Sequence, residues 1–307
     1  MTELAPQELR VLVAVAEAGG FSAAAHRLGI TQSAVSHSVR GSEAKVGAVL
    51  FDRGRAGASP TPAGERAVAL GRRILRLYEV LGAEARAAGR AAAGPVAAEG
   101  VLRIAAFRSA ALHLLPPALE RLAARHPGIR PEIRVVRELG PGTAGEVAAG
   151  RADLAIATLS GPASGPLSGP PSGLPDGLPD GLLSGELTRE AYSLVHPAGH
   201  PDPKALPLLD WDENCGSYTR DWWRAQDWIP RATVKAEDDA MVLTMVGRGL
   251  GMAILPELSL REATDAVEIA GLGPQGPVRR VGYVTTPELA STLAVRALIR
   301  ELRAERG

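Results

Sequence analysis

At 307 residues, with 34 Lys/Arg balanced by 34 Asp/Glu, the chain has room for two or three domains with cores of their own. Its single cysteine excludes an intrachain disulfide framework and fits a reducing compartment. With no apolar leader and no run long enough to span a bilayer, the expectation is a cytoplasmic protein with no membrane partner.

The overall neutrality hides a division: residues 1–93 hold 12 Lys/Arg against 8 Asp/Glu, and the remainder holds 22 against 26. So modest a positive end suits an anionic partner gripped by a few well-placed contacts rather than by a broad basic field.

In chain order, Leu9, Leu12, Val13 and Ala16 recur at helical spacing and predict a first amphipathic helix ended by Gly19-Gly20. Phe21 and Ser22 open a second helix, with Ser22 as the expected N-cap and Ala23, Ala24, Ala25 and Leu28 as its body. Leu28-Gly29-Ile30 supplies a tight turn in which Gly29 takes the positive φ, and Thr31 caps a third helix running from Gln32 to about Lys45.

On that helix Ala34, Val35, Val39 and Ala44 are expected to face inward. Gln32, Ser33, Ser36, His37 and Arg40 then lie outside, all short or hydrogen-bonding types able to reach base edges and phosphates from the major groove. Val49-Leu50-Phe51 reads as a short strand, Asp52-Arg53-Gly54-Arg55 as a cationic hairpin tip, and Ser59-Pro60-Thr61-Pro62 as the return. This is the pattern of a winged helix-turn-helix.

The segment AVAEAGGFSAAAHRLGITQSAVSHSVRGSEAKVGAVLFDR, followed by Thr61-Pro62-Ala63-Gly64, resembles the N-terminal domain of LysR-type transcriptional regulators. The resemblance implies that Gln32, Ser33, Ser36 and His37 enter the major groove of promoter or operator DNA and that Thr31 meets a phosphate at the helix start. It also implies that Arg53 reaches the backbone or minor groove from the wing, where Arg55 adds charge. Arg40 can serve DNA or solvent equally. Ser42 departs from the family's apolar preference at that position and predicts looser packing.

From Ala63 to about Arg90 the chain is rich in Ala, Arg, Leu and Glu and contains no proline, which predicts one long helix. Ala67, Leu70, Ile74, Leu77, Leu81 and Ala88 alternate at spacings of three and four, the seam of a coiled coil interrupted only by Glu84. A homodimer, with pairing into a homotetramer, is the expected assembly. Two reading heads would then meet half-sites spaced by one or more helical turns of about 34 Å each.

Ala91-Ala92-Ala93-Gly94-Pro95 reads as a hinge, after which strands and helices alternate. Strands are expected at 101–106, 133–136 and 152–157, with helices led by Leu114 and Ala144. A second half follows, with strands at 192–195, 206–209, 233–236, within 249–256 and at 281–284, and a helix from about Asp239 to Arg248. Such alternation predicts a parallel sheet in each of two lobes, with a cleft at the strand ends.

LRIAAFRSA, LLPPALERLAARHP, GRADLAIA and VGRGLGMAILP are similar to the effector-binding domain of the same family, which has the periplasmic-binding-protein fold. The expected architecture is therefore α/β with an all-α-type N-terminal unit: a winged helix-turn-helix at 1–62, a linker and dimerisation helix at 63–93, and a two-lobed Rossmann-like effector domain at 94–307. Residues 160–185, with recurring SGP and LPDG units, predict a flexible surface loop.

Arg108 and Ser109 follow the first strand and precede a helix, so they can hold an anion or carboxylate; Thr158 ends the third strand on the same side. Across the cleft, Cys215, Ser217, Tyr218 and Thr219 complete the candidate site for a small-molecule effector, and Trp211, Trp222, Trp223 and Trp228 nearby suggest a ring-bearing or partly apolar ligand. Alternative readings are a solute-binding protein and a regulator that senses oxidants through Cys215. An enzyme would need Cys215 beside His113, His126, His196 or His200, but there is no nucleophile motif, metal-ligand spacing or glycine-rich phosphate loop. No cofactor or catalytic residue is expected, and RNA polymerase is a conceivable partner.

Overall fold

The computed structural model describes residues 3–54, 57–91, 98–159, 179, 181–213 and 222–304, with the side chains of residues 53, 90 and 91 outside that set. The chain divides into two compact units, Met1–Gly100 with Ala148–Ala152 and Val101–Val147 with Asp153–Gly307.

The first unit opens with helices α1 (Pro6–Ala18), α2 (Phe21–Leu28) and α3 (Gln32–Val46). Pro6 sits in the first turn of α1, and Glu8 reaches back to accept the Ala5 N–H at 2.8 Å. The α2 start differs from expectation: Gly20 occupies the N-cap position and Ser22 is already helical. Phe21, which begins the helix, packs its ring edge-to-face on Phe51 with centroids 6.4 Å apart, tying that helix end to the wing. Gly29 ends α2 at φ 65°, as its place in the turn requires.

Val35 and Val39, as expected, form the buried stripe of α3 together with Ser42, whereas Ala34, one position before Val35, and Ala44, two beyond Ser42, are exposed. At about 100° per residue a one-residue shift moves a side chain out of the stripe. Burying the two valines stabilises the unit by about 1.5–3 kcal/mol each. Ser42 is buried without loss, because its hydroxyl donates to the Ser38 carbonyl one turn back at 2.9 Å.

The wing is a two-stranded antiparallel hairpin, β1 (Phe51–Gly54) and β2 (Gly57–Pro60), pairing Phe51 with Pro60. The strand starts two residues later than the sequence suggests because Val49 and Leu50 lend their carbonyls to Thr61 instead, at 2.7 Å to its hydroxyl and 3.0 Å to its N–H. Thr61 Oγ1 in turn accepts the Gly64 N–H at 3.0 Å and caps α4 (Pro62–Ala91). A side chain at Gly64 would collide with the Leu50 carbonyl, which explains the glycine in Thr-Pro-Ala-Gly. Along α4, Leu70, Ile74, Tyr78 and Leu81 stay exposed in a continuous apolar stripe.

The second unit holds β3 (Glu99–Ala106), whose first two residues belong to the other unit, then α5 (Arg108–His113), α6 (Leu115–Arg125), β4 (Gly128–Val135), α7 (Gly142–Ala148) and β5 (Leu154–Thr158). β6 (Leu183–Pro197), β7 (Leu208–Trp211), β8 (Ala232–Ala236), α8 (Asp239–Gly247), β9 (Ala253–Pro256), α9 (Glu257–Leu260), β10 (Val267–Gly271), β11 (Val278–Thr285), α10 (Pro287–Ala290) and α11 (Leu293–Arg303) complete it. The main sheet is mixed, in the order β10-β6-β11-β5-β3-β4 with β9 also on β6.

The parallel expectation holds for β3 with β5 and for β7 with β8, whereas β11 runs antiparallel to both β5 and β6. The fifteen-residue β6 serves both halves: its first part pairs with β11 and its second with β9 and β10. Its opening residues, Leu183 to Gly185, fall inside the stretch expected to be a loop; they pair with β11, and the Tyr283 ring lies where a Gly185 side chain would stand. Residues 160–178 and 180 of that stretch lie outside the described residues.

Candidate functional site

Among the described residues, two places hold candidate site residues read from the sequence. The first is the outer face of α3. Thr31 Oγ1 accepts the Ala34 N–H at 3.2 Å and sits 3.0 Å from Ser33 Oγ, so the helix begins with two adjacent hydroxyls. Gln32, Ser33, His37 and Arg40 are exposed and Ser36 is half-buried on the same side. Gln32, His37 and Arg40 make no hydrogen bond or ion pair among the described residues.

Sequence reading missed what braces this face. Glu43 Oε1 accepts the N–H groups of Leu50 and Phe51 at 2.9 and 3.3 Å, fixing the wing against α3. Lys45 donates to Glu8 at 2.8 Å, which holds the Glu8 carboxyl below its usual range and ties α3 to α1. Arg53 lies within β1, opposite Ala58, rather than at the tip; its side chain and the whole of Arg55 lie outside the described residues.

The second place is a cavity of about 200 Å³ within the second unit. It is assembled from the carboxyl ends of strands: Phe107, Arg108 and Ser109 follow β3, Arg137 and Glu138 follow β4, Trp211 and Glu213 close β7, Glu237 to Asp239 follow β8, and Pro256 ends β9. Ligands of open α/β sheets settle at such ends.

The arginines are already engaged. Arg108 donates to Asp239 at 3.0 Å and to Glu262 at 2.6 Å; burial pulls its pKa down, but the Glu262 bond and the Asp239 charge hold it above the ordinary value. Arg137 donates to Glu213 at 3.0 Å, to Asp212 at 3.2 Å and to the Glu237 carbonyl at 3.2 Å. Arg279, 3 % exposed, lies over the Phe107 ring at 4.6 Å and pairs at 2.6 Å with Glu190, 2 % exposed. Burial pushes the Glu213 carboxyl above its usual range, against the pull of the Glu138 N–H and Arg137.

Of the residues expected to bind effector, Arg108 and Ser109 line this cavity. Thr158 does not: its N–H donates at 3.2 Å to Glu138, so it positions a lining carboxylate instead. Cys215, Ser217, Tyr218 and Thr219 lie outside the described residues. The aromatic expectation is corrected, since Trp211 lines the cavity whereas Trp223 is buried in an apolar cluster with Tyr192, Leu208 and Met252, against which Trp222 and Trp228 pack. Apolar neighbours draw these rings into the core before any ligand does. His196 and His126 are held by the Pro197 carbonyl and by Arg300. Among the described residues there is no cluster fit for a metal ion and no helix long and apolar enough to cross a membrane.

Arg137, Glu138, Glu213 and Asp239 are the lining residues that sequence reading passed over. Their signal was available: Arg137-Glu138 stands just beyond β4 as Arg108-Ser109 stands just beyond β3.

A winged helix-turn-helix in one unit and an α/β domain with a strand-end cavity in the other place the chain in the class of DNA-binding regulators. The family model described as "Bacterial regulatory helix-turn-helix protein, lysR family" matches residues 6–65, and that described as "LysR substrate binding domain" matches 97–307. The chain is 33 % identical over 299 residues to the "Probable HTH-type transcriptional regulator LrrA" of Synechococcus elongatus, spanning 94 % of this chain and 92 % of that one. It is similar in fold to ArgP from Mycobacterium tuberculosis, with a TM-score of 0.69 at 20 % identity over 98 % of this chain and 97 % of that one. Full-length CbnR in complex with its target DNA matches at a TM-score of 0.62 and 19 % identity, over 98 % and 99 % of the two chains. The protein belongs to the LysR family of transcriptional regulators.

Proposed function

We propose that the protein regulates transcription by reading promoter DNA with α3 and by changing its operator contacts when a small molecule occupies the strand-end cavity. The observation that carries this reading is the row of exposed polar side chains on α3, with Gln32, His37 and Arg40 making no hydrogen bond or ion pair among the described residues. Polar groups held ready on a helix whose opposite stripe is buried are available to base edges. Ser33, Ser36 and His37 read bases with Gln32, Thr31 meets a phosphate, and Arg53 and Arg55 hold the backbone or minor groove from the wing.

The division into 1–62, 63–93 and 94–307 gives α4 the role of pairing two copies, supported by its exposed stripe of Leu70, Ile74, Tyr78 and Leu81. Solvent exposure of four large apolar side chains on one helix is costly, and a second α4 covers them. The homodimer, and a homotetramer of two such pairs, works in the cytoplasm and meets RNA polymerase at the promoter. Occupancy of the cavity biases how the two reading heads are held, with Arg108 and Ser109 touching the effector.

A footprint of the purified protein on the DNA upstream of its own gene, repeated with cell-extract metabolites, tests the whole reading. Protection of two half-sites whose pattern shifts with metabolites is the expected result; protection that is absent, or indifferent to every metabolite, contradicts it.

A further inference from the structure

We infer that the strand-end cavity takes its ligand through a cationic nitrogen group, an ammonium or a guanidinium, rather than through a carboxylate. This deepens the reading of that cavity as the effector site and rests on it.

The charge count of the lining decides the sign. Three arginines face five carboxylates across the cavity, and each arginine is matched already. An incoming carboxylate would compete with Asp239 and Glu262 for Arg108, with Asp212 and Glu213 for Arg137, or with Glu190 for Arg279, and would meet like charge at each. Asp239 is 8 % exposed and Glu190 2 %. Drawing Arg108 or Arg279 away from them would weaken the counterion of a buried carboxylate, which is costly.

A cation meets the opposite situation. Glu138 accepts only from neutral donors, the Thr143 N–H at 3.0 Å, the Thr143 hydroxyl at 2.6 Å and the Thr158 N–H at 3.2 Å. Asp238 accepts the Met241 N–H at 2.8 Å as the cap of α8, and the Glu237 carboxylate has no hydrogen-bond or ion-pair partner among the described residues. Glu138 and Glu237 thus have no paired cation among the described residues, and Asp238 has only the through-space attraction of Arg108.

Ser109 adds a polar contact. It is 3 % exposed, it lines the cavity, and its hydroxyl makes no hydrogen bond among the described residues. That hydroxyl oxygen is open to the cavity and can accept from a ligand N–H or donate to a ligand oxygen, so it helps to hold a ligand without setting its charge. At about 200 Å³ the space falls below the ~300–1,000 Å³ of drug-sized sites, so the ligand is the size of a diamine or a single amino acid.

Calorimetric titration of the full-length protein with putrescine, L-lysine and L-arginine, against succinate and benzoate, tests the assignment. At least one of the three cations should bind saturably below about 1 mM and weaken about tenfold or more in Glu138→Gln and in Ser109→Ala. Glu237→Gln, at an exposed side chain, supplies a variant whose folding is not at risk and should weaken the same cation several-fold. Saturable binding of a carboxylate with none of the cations would overturn the charge assignment while leaving the effector site standing. Cation binding unchanged in all three variants would overturn it too, and no saturable binding of either charge would remove the assignment together with the effector reading beneath it.

Discussion

The reading helix and the strand-end cavity are built on opposite plans. On α3 the candidate DNA-contacting groups are neighbours in sequence, Gln32 to Arg40; the opposite stripe is buried, and Gln32, His37 and Arg40 make no hydrogen bond or ion pair among the described residues. In the cavity the groups come from five separate strand ends and are held by ion pairs that bridge 75 to 154 positions, such as Arg137 with Asp212 and Arg108 with Glu262. A contiguous motif can be exchanged residue by residue, whereas a site knitted from remote charges responds to any one of them as a whole.

The sharpest test of that contrast is Glu190→Ala. Removing one partner of a buried ion pair strands the Arg279 charge and should cost the second unit about 3–5 kcal/mol, read as a lowered calorimetric transition. The transition of the first unit should not move; a loss shared equally by both would break the division drawn here. Gly64→Ala is the reciprocal change. Its methyl meets the Leu50 backbone, which cannot swing away as a side chain would, and should destabilise the first unit by about 3 kcal/mol with the second unaffected.

On α3 itself, Ser33→Ala or His37→Ala should leave stability alone and cost about 1–3 kcal/mol at the preferred duplex, with relaxed sequence preference. Arg53→Ala should instead weaken binding to all duplexes alike and flatten its salt dependence. Identical losses on preferred and scrambled DNA for all three would remove the distinction between base-reading and backbone-holding groups.

Glu8→Gln is expected to have the smallest effect. Lys45 lowers the Glu8 pKa, so the pair contributes stability above the ordinary carboxylate range and loses it as pH falls through the lowered value. The pair is near the surface, so the variant should lose about 1 kcal/mol or less at neutral pH, and its deficit should vanish in acid unfolding measurements.

The same contrast governs what could be read from the sequence. The first unit was legible because its signals are local: Gly29 for the turn, Thr31 for the cap, Val35 and Val39 for the stripe. Its errors were local as well, since Ser22 was displaced from the cap by a Phe21 that packs on the wing.

In the second unit the strand ends were legible at β3 but the partners of Arg108 were not, because nothing near it in sequence names Asp239 or Glu262. β10 and α11 went unforeseen. In α11 the fully buried Glu301 interrupts the apolar pattern; it is accommodated by Arg125 at 2.6 Å, a partner 176 residues away. A buried charge paired across the fold looks, in one dimension, like a solvent-facing one.

The account's central claim is that α3 reads bases, and fluorescence anisotropy of the full-length protein and its His37→Ala variant tests it most directly. The duplex from upstream of its own gene and a scrambled duplex should be compared at one fixed salt concentration. The native protein should prefer the former by about a thousandfold or more, and the variant should lose about tenfold or more of that preference while its binding to scrambled DNA stays the same. Equal affinity of the native protein for both duplexes, or a variant whose preference is undiminished, would contradict it.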